Sequence, residues 1–232
     1  IITSDRRRNP NLRAVVRESM SVPAEDLRTS YVLKLALAWV PCNLCGSETF
    51  DYIYREHSNV VRCTVCGLTM YNPQPTPEAL VDYYNHERGY LPSIRRDVCE
   101  NYSANCGPLV AVFDHVLFRL ANATGATACV QPGDGKPSEL SAGPLMLEVG
   151  CAYGFFLKRA QEWGWRVAGI EVAAETSTFA REELGLPVET GTVFDCTIPQ
   201  GSVDCIVMMQ VIEHVSDPMS MLKRIRSLLR PG

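Results

Sequence analysis

The stretch Leu145-Met146-Leu147-Glu148-Val149-Gly150-Cys151-Ala152-Tyr153-Gly154 sets the fold class. Leu145 to Val149 is an apolar run of strand length. Gly150-x-Ala152-x-Gly154 makes a tight turn, and a helix follows from about Tyr153 to Trp163. Downstream the same alternation repeats. Arg166 to Glu171 reads as a strand and Ala174 to Leu184 as a helix. Pro187 to Thr190 and Val203 to Met209 read as strands, and Pro218 to Leu229 as a helix. Near-continuous apolar strands separated by helices predict an α/β domain: a parallel sheet covered on both faces, over residues 144–232.

The turn after the first strand has a chemical reading. Gly and Ala leave room for a ligand beside the backbone, and a helix N-terminus offers free N–H groups to an anion. Glu171 closes the second strand, 21 residues after Gly150. An acid at that place accepts hydrogen bonds from both hydroxyls of an adenosine ribose. A solvated strand end is the alternative. The spacing G-x-A-x-G, with an acid two residues before it, departs from the G-x-G-x-x-G of dinucleotide loops.

Upstream stand two cysteine pairs, Cys42-Asn43-Leu44-Cys45 and Cys63-Thr64-Val65-Cys66, with 17 residues between them. C-x2-C-x17-C-x2-C suits a closed four-thiolate zinc site with a structural role. Gly46 and Gly67 follow each pair, where the chain must turn. A redox dithiol, two disulfides and an iron centre with similar knuckles are the alternatives. Residues 41–75 therefore read as a small metal-binding module with short β-runs at Glu48 to Tyr54 and Asn59 to Arg62. Residues 1–40 are weakly organised, with a helical signal over Ala24 to Val40. Residues 76–143 form a helical connector and linker. Thr76-Pro77-Glu78 starts a helix that runs to about Tyr84. A second helix spans about Leu109 to Ala121, and a loop spans Ala123 to Gly143.

The 232 residues are 46% hydrophobic and 21% charged, which allows a real core and excludes a disordered class. A net charge of -4 argues against a nucleic-acid partner. The run Arg6-Arg7-Arg8 reads as a solvated end. The six cysteines outside the pairs look like free thiols of a reducing compartment. The ten-residue apolar stretch Tyr31 to Val40 is too short to span a bilayer, so a cytoplasmic protein without membrane contact is expected.

Motif by motif, residues Leu145 to Gly232 resemble the class I S-adenosylmethionine-dependent methyltransferases. Glu148 to Gly154 resembles their first motif, E/D-x-G-x-G-x-G, with Ala152 in place of the middle glycine. Val203 to Val207, with Val211-Ile212-Glu213-His214-Val215-Ser216-Asp217-Pro218, resembles their fourth strand and the loop after it. Leu228 to Gly232 resembles their L-L-x-P-G helix end. The four-cysteine module, with Pro73-x-Pro75 and Tyr83-Tyr84, resembles a zinc-bearing subgroup that includes sugar C-methyltransferases and methyltransferases of polysaccharide and natural-product clusters.

The resemblance implies a Rossmann-like fold, S-adenosylmethionine as cofactor and a small-molecule acceptor, a nucleotide-linked sugar among the candidates. It implies that Glu148, Gly150, Cys151, Ala152 and Gly154 hold the methionine part, Cys151 as a small packing residue. Glu171 would hold the ribose, and Val172 would pack on adenine. Thr192 and Val193 would lie at the adenine edge, and Gln210 at the sulfonium side. His214 is the candidate base and Glu213 its partner; loop support is the alternative. Tyr83 and Tyr84 either close over the pocket or pack in the core. Ile1 and the Leu228 to Gly232 ending read as cut ends, with the fold's later strands missing. A non-catalytic fragment that binds cofactor or partner therefore stays open, as does a nicotinamide-dependent oxidoreductase, which the loop spacing disfavours.

Overall fold

The computed structural model describes residues 35–54, 59–86, 107–126 and 143–231. Its larger half is a four-stranded sheet built around the stretch Leu145 to Gly154. Strand β6 (Leu145–Val149) lies at its centre, between β7 (Arg166–Glu171) and β9 (Cys205–Met208), and β8 (Val188–Thr190) lies outside β7. All pairings are parallel, with Val149 opposite Ile170 on one side and Met208 on the other. The α/β class expected from the sequence is the one observed.

Alternation along β6 divides the core. Met146 faces a cluster with Leu117, Phe156, Leu157, Trp163, Trp165 and Val167. That face is covered by α2 (Gly107–Thr124), α3 (Phe155–Glu162) and α4 (Ala174–Glu182). Leu147 and Val149 face the opposite cluster, with Ile170, Val203, Met221, Ile225 and Leu228, under α5 (Pro218–Leu228). Burying each such side chain contributes about 1.5–3 kcal/mol. Asp114 on α2 ties the first layer together: it accepts from Arg159 Nε at 2.7 Å, Arg159 Nη2 at 2.9 Å and Trp163 Nε1 at 2.9 Å.

The smaller half is an antiparallel ribbon. Strands β2 (Phe50–Tyr54), β3 (Val60–Cys63) and β4 (Thr69–Tyr71) pair in that order. A two-residue pair, β1 (Leu37–Ala38) with β5 (Gln74–Pro75), closes the module. This corrects the helical reading of Ala24 to Val40 at its C-terminal end; the rest of that segment lies outside the described residues. The cause is a long-range partner. Leu37 stands opposite Pro75, and buried Asn72 accepts from Val40 N and donates to Val40 O. Such pairing overrides a weak local helix signal.

Helix α1 (Pro77–Asn85) follows immediately, with Thr76 capping Ala79 N as its sequence predicts. Helix α2 runs to Thr124, into the segment read as linker; most of that linker lies outside the described residues. Outside them too lie Arg6 to Arg8, His57, Cys99, Cys106 and Cys129. No helix among the described residues is long and apolar enough to cross a membrane.

Candidate functional site

Cys42, Cys45, Cys63 and Cys66 come together as the spacing predicts. Their four sulfurs lie within 4.8 Å of one another. Two contacts cross between the pairs, Cys42 to Cys66 at 3.5 Å and Cys45 to Cys63 at 3.6 Å. A disulfide needs about 2.05 Å, and the four cysteines are free thiols at longer separations. A tetrahedron of sulfurs about 2.3 Å from a metal has edges of about 3.8 Å; the cluster fits one. Both knuckles turn alike, with Gly46 N donating to Cys42 O and Gly67 N to Cys63 O. Gly46 and Gly67 adopt φ of 73° and 79°, the left-handed region where a side chain is strained.

The second site is a cleft of about 450 Å³ at the carboxyl ends of the parallel strands. It opens where the strand order reverses between β6 and β9, the place where open α/β sheets hold ligands. Each strand end contributes: Val149 and Gly150 after β6, Glu171 and Val172 after β7, Gly191 to Phe194 after β8, and Gln210, Val211 and His214 after β9. Its volume and mostly apolar wall suit a small organic ligand.

Glu171 is buried in this wall. Its Oε2 accepts from Ala152 N and its Oε1 from Ala173 N, both at 2.8 Å. Burial raises its pKa against the pull of those amides. A carboxylate has about four acceptor positions, so two amides leave capacity for ligand hydroxyls. Glu148 is more deeply placed. Burial, then the charge of Glu171, pushes its carboxyl up to about 8, and its Oε2 has no hydrogen-bond partner. Cys151 is also buried, and burial raises its thiol pKa, so it stays protonated; that matches a packing role.

Of the residues expected to touch a cofactor, Gly150, Glu171, Val172, Thr192, Val193 and Gln210 line the cleft. Glu148, Cys151, Ala152 and Gly154 are not among the lining residues. Gly154 is a packing glycine: a Cβ there would stand 2.7 Å from Leu186 Cδ1 and 3.1 Å from Ala180 Cβ. The absent Cβ at Gly150 makes room for Val211, whose Cγ2 would be 2.6 Å away. Thus the small residues serve loop and helix packing at these points. Ala152 holds φ of 47°, which explains why a glycine is natural there. Gln210 has φ of 56° at the exit of β9.

His214 lies on the single turn Ile212–His214 and lines the cleft, whereas exposed Glu213 does not. Of the two tyrosines, Tyr84 lines the cleft and Tyr83 packs edge-on against it, with ring centroids 5.5 Å apart. Burial, then the charges of Tyr83, Glu171 and Glu213, pushes the Tyr84 phenol up to about 12.

Sequence reading offered Tyr84 as a pocket or core residue and missed the rest of its wall. Pro77, Leu80, Val81 and Tyr84 of α1 all line the cleft. Their i, i+3, i+4, i+7 spacing marks one helix face, yet no residue of α1 is buried. That apolar stripe was legible in the sequence. That Pro77, Leu80 and Val81 face a cleft was not.

Residues 147–232 match the family model described as "Methyltransferase domain". The sheet half is thus similar to that family over these residues. Over 97 residues the chain is 35% identical to a ubiquinone biosynthesis O-methyltransferase of Xanthomonas axonopodis pv. citri, covering 39% of this chain and 41% of that protein. It is 31% identical over 96 residues to the corresponding protein of Xanthomonas campestris pv. campestris, covering 39% and 40%. The chain thus spans about two fifths of the length of the curated relatives it matches. A solved S-adenosylmethionine-dependent methyltransferase from Aquifex aeolicus is 27% identical with a TM-score of 0.34, covering 38% of this chain and 52% of that one.

Proposed function

We propose that the chain binds S-adenosylmethionine in the strand-end cleft and serves methyl transfer to a small-molecule acceptor, a nucleotide-linked sugar being the candidate class. A structural zinc ion would sit on Cys42, Cys45, Cys63 and Cys66. One observation carries the cofactor reading: buried Glu171 at the end of β7, clamped to Ala152 N and Ala173 N, presents its remaining acceptor positions to the cleft. The methyltransferase-domain match over the same strands supports it.

The cofactor supplies an electrophilic methyl group. The chain's residues supply position and a base. Glu171 accepts from the ribose hydroxyls, and its clamp on Ala152 fixes the turn that begins at Gly150. Val172, Thr192 and Val193 border the adenine. His214 Nδ1 or Nε2 takes the proton from the acceptor as the new bond forms. Glu213, one residue earlier and outside the cleft, acts at most through His214. Glu148, whose buried Oε2 has no hydrogen-bond partner, is the group proposed to receive the methionine ammonium. The apolar walls hold the reactants in line and exclude water.

Calorimetric titration with S-adenosylmethionine, and separately with NAD, tests the reading. Micromolar binding of the first and not the second is expected, weakened at least tenfold (about 1.4 kcal/mol) by Glu171→Ala. Preference for NAD would favour the oxidoreductase alternative and defeat the proposal. Transfer of labelled methyl groups, lost in His214→Ala with binding kept, checks the base.

A further inference from the structure

Helix α1 joins the cysteine module to the cleft. At one end Thr76 N donates to Ala36 O at 2.9 Å, and Ser216 Oγ donates to Pro75 O at 3.2 Å. Along its length no side chain is buried. At the other end stands Asn85, the last helical residue. Its Nδ2 donates to Val81 O at 2.9 Å and to Val172 O at 3.1 Å, and its Oδ1 accepts from Ala174 N at 2.8 Å. Both amide hydrogens and the carbonyl are engaged, so only one orientation of the amide satisfies all three partners. Two of those partners belong to the turn between β7 and α4, 87 and 89 residues away in sequence. That turn holds Val172 in the cleft wall and receives Glu171 Oε1 at Ala173 N.

From this geometry we infer that Asn85 is a positioning residue for the cofactor: it pins α1 to the Val172–Ala174 turn and so fixes both walls of the adenosine end of the cleft. The inference rests on the S-adenosylmethionine reading above. The pin anchors the helix that carries Pro77, Leu80, Val81 and Tyr84 at the end opposite the module. Without it the Ala174 amide, one of the free donors at the start of α4, loses its acceptor. Asn85 touches neither acceptor nor reacting methyl, so it acts on binding and not on the base.

The test is titration of wild type, Asn85→Ala and Asn85→Asp with S-adenosylhomocysteine, with zinc content and ligand-free melting measured in parallel. Asn85→Ala is expected to weaken binding about tenfold, the scale of two lost hydrogen bonds, with zinc content unchanged. Asn85→Asp keeps the acceptor for Ala174 N and is expected to recover part of the loss. Amide exchange in the ligand-free protein should speed up together in residues 77–85 and 172–176 of Asn85→Ala, which a general loss of stability would not confine to those segments. Binding within twofold of wild type in Asn85→Ala overturns the inference alone. No binding by wild type defeats the cofactor reading and this inference with it.

Discussion

The two halves of this chain are held together by different physics, and their tryptophans mark the difference. Trp163 and Trp165 are 3% and 0% exposed, inside the cluster beneath the parallel sheet. Trp39 is 55% exposed on the cysteine module and meets Tyr52 edge-on at 6.3 Å between ring centroids. Among the described residues of the module Val61 is the one large apolar side chain that is buried, alongside Cys42, Cys63 and Asn72, while Tyr52, Ile53, Tyr54, Val65 and Tyr71 are exposed. The sheet half draws its stability from apolar burial on both faces. A ribbon with so small a core needs another cross-link, and the four converging thiols are the only group in it placed to provide one among the described residues.

The sharpest way to break the comparison is to remove one thiol. Cys63→Ser should abolish tight zinc binding, whose free energy in small structural sites is about 10–16 kcal/mol. Module folding should fail with it, while Trp163 and Trp165 keep their buried fluorescence. Zinc content by elemental analysis and tryptophan emission check this. Collapse of both halves at once would contradict separate sources of stability.

Gly169→Ala should act in the opposite half. A Cβ there would stand 2.8 Å from both Cys151 Sγ and Leu157 Cδ1, and 2.9 Å from Val188 Cγ2. Overpacking of this kind costs about 1–3 kcal/mol, to be read as a lower melting temperature with unchanged zinc content.

A pH-dependent difference follows from Glu148. Its native pKa of about 8 lies above the ordinary value of 4.5, so the native state holds a proton that the unfolded chain releases. Stability from this group is complete below the ordinary value and is lost as pH rises through about 8. The slope is at most about 1.4 kcal/mol per pH unit. Glu148→Gln should flatten the loss over that window, as followed by denaturant unfolding at several pH values, and should leave the module untouched. The smallest effect is expected at Ala152, whose φ of 47° favours glycine. Ala152→Gly should be neutral or stabilising by up to about 1 kcal/mol.

Local patterns were legible where one stretch carries its own partner. The two C-x-x-C knuckles, the strand Leu145–Val149, the Thr76 cap and Glu171 at a strand end all stand where the sequence put them. What escaped depends on contacts between distant segments. Leu37–Ala38 pairs with Gln74–Pro75, too short a ladder to leave a period-2 signal. Helix α1 turns its apolar stripe to a cleft, and a pattern of apolar residues does not say what they face. Gly150 and Gly154 looked like room for a ligand, yet Val211 and Leu186 occupy the space their missing side chains leave. Asn85 meets Val172 and Ala174 across the fold, and nothing around Asn85 in sequence announces it.

The central claim is that the cleft at the strand ends, walled by α1, receives the adenosine of S-adenosylmethionine. Hydrogen exchange of the intact chain with and without S-adenosylhomocysteine tests it most directly. The account predicts added protection at residues 150–154, 171–174 and 191–194 and along 77–85, with none in the ribbon at 60–71. Protection absent from these strand ends, or equal protection by NAD, would contradict it.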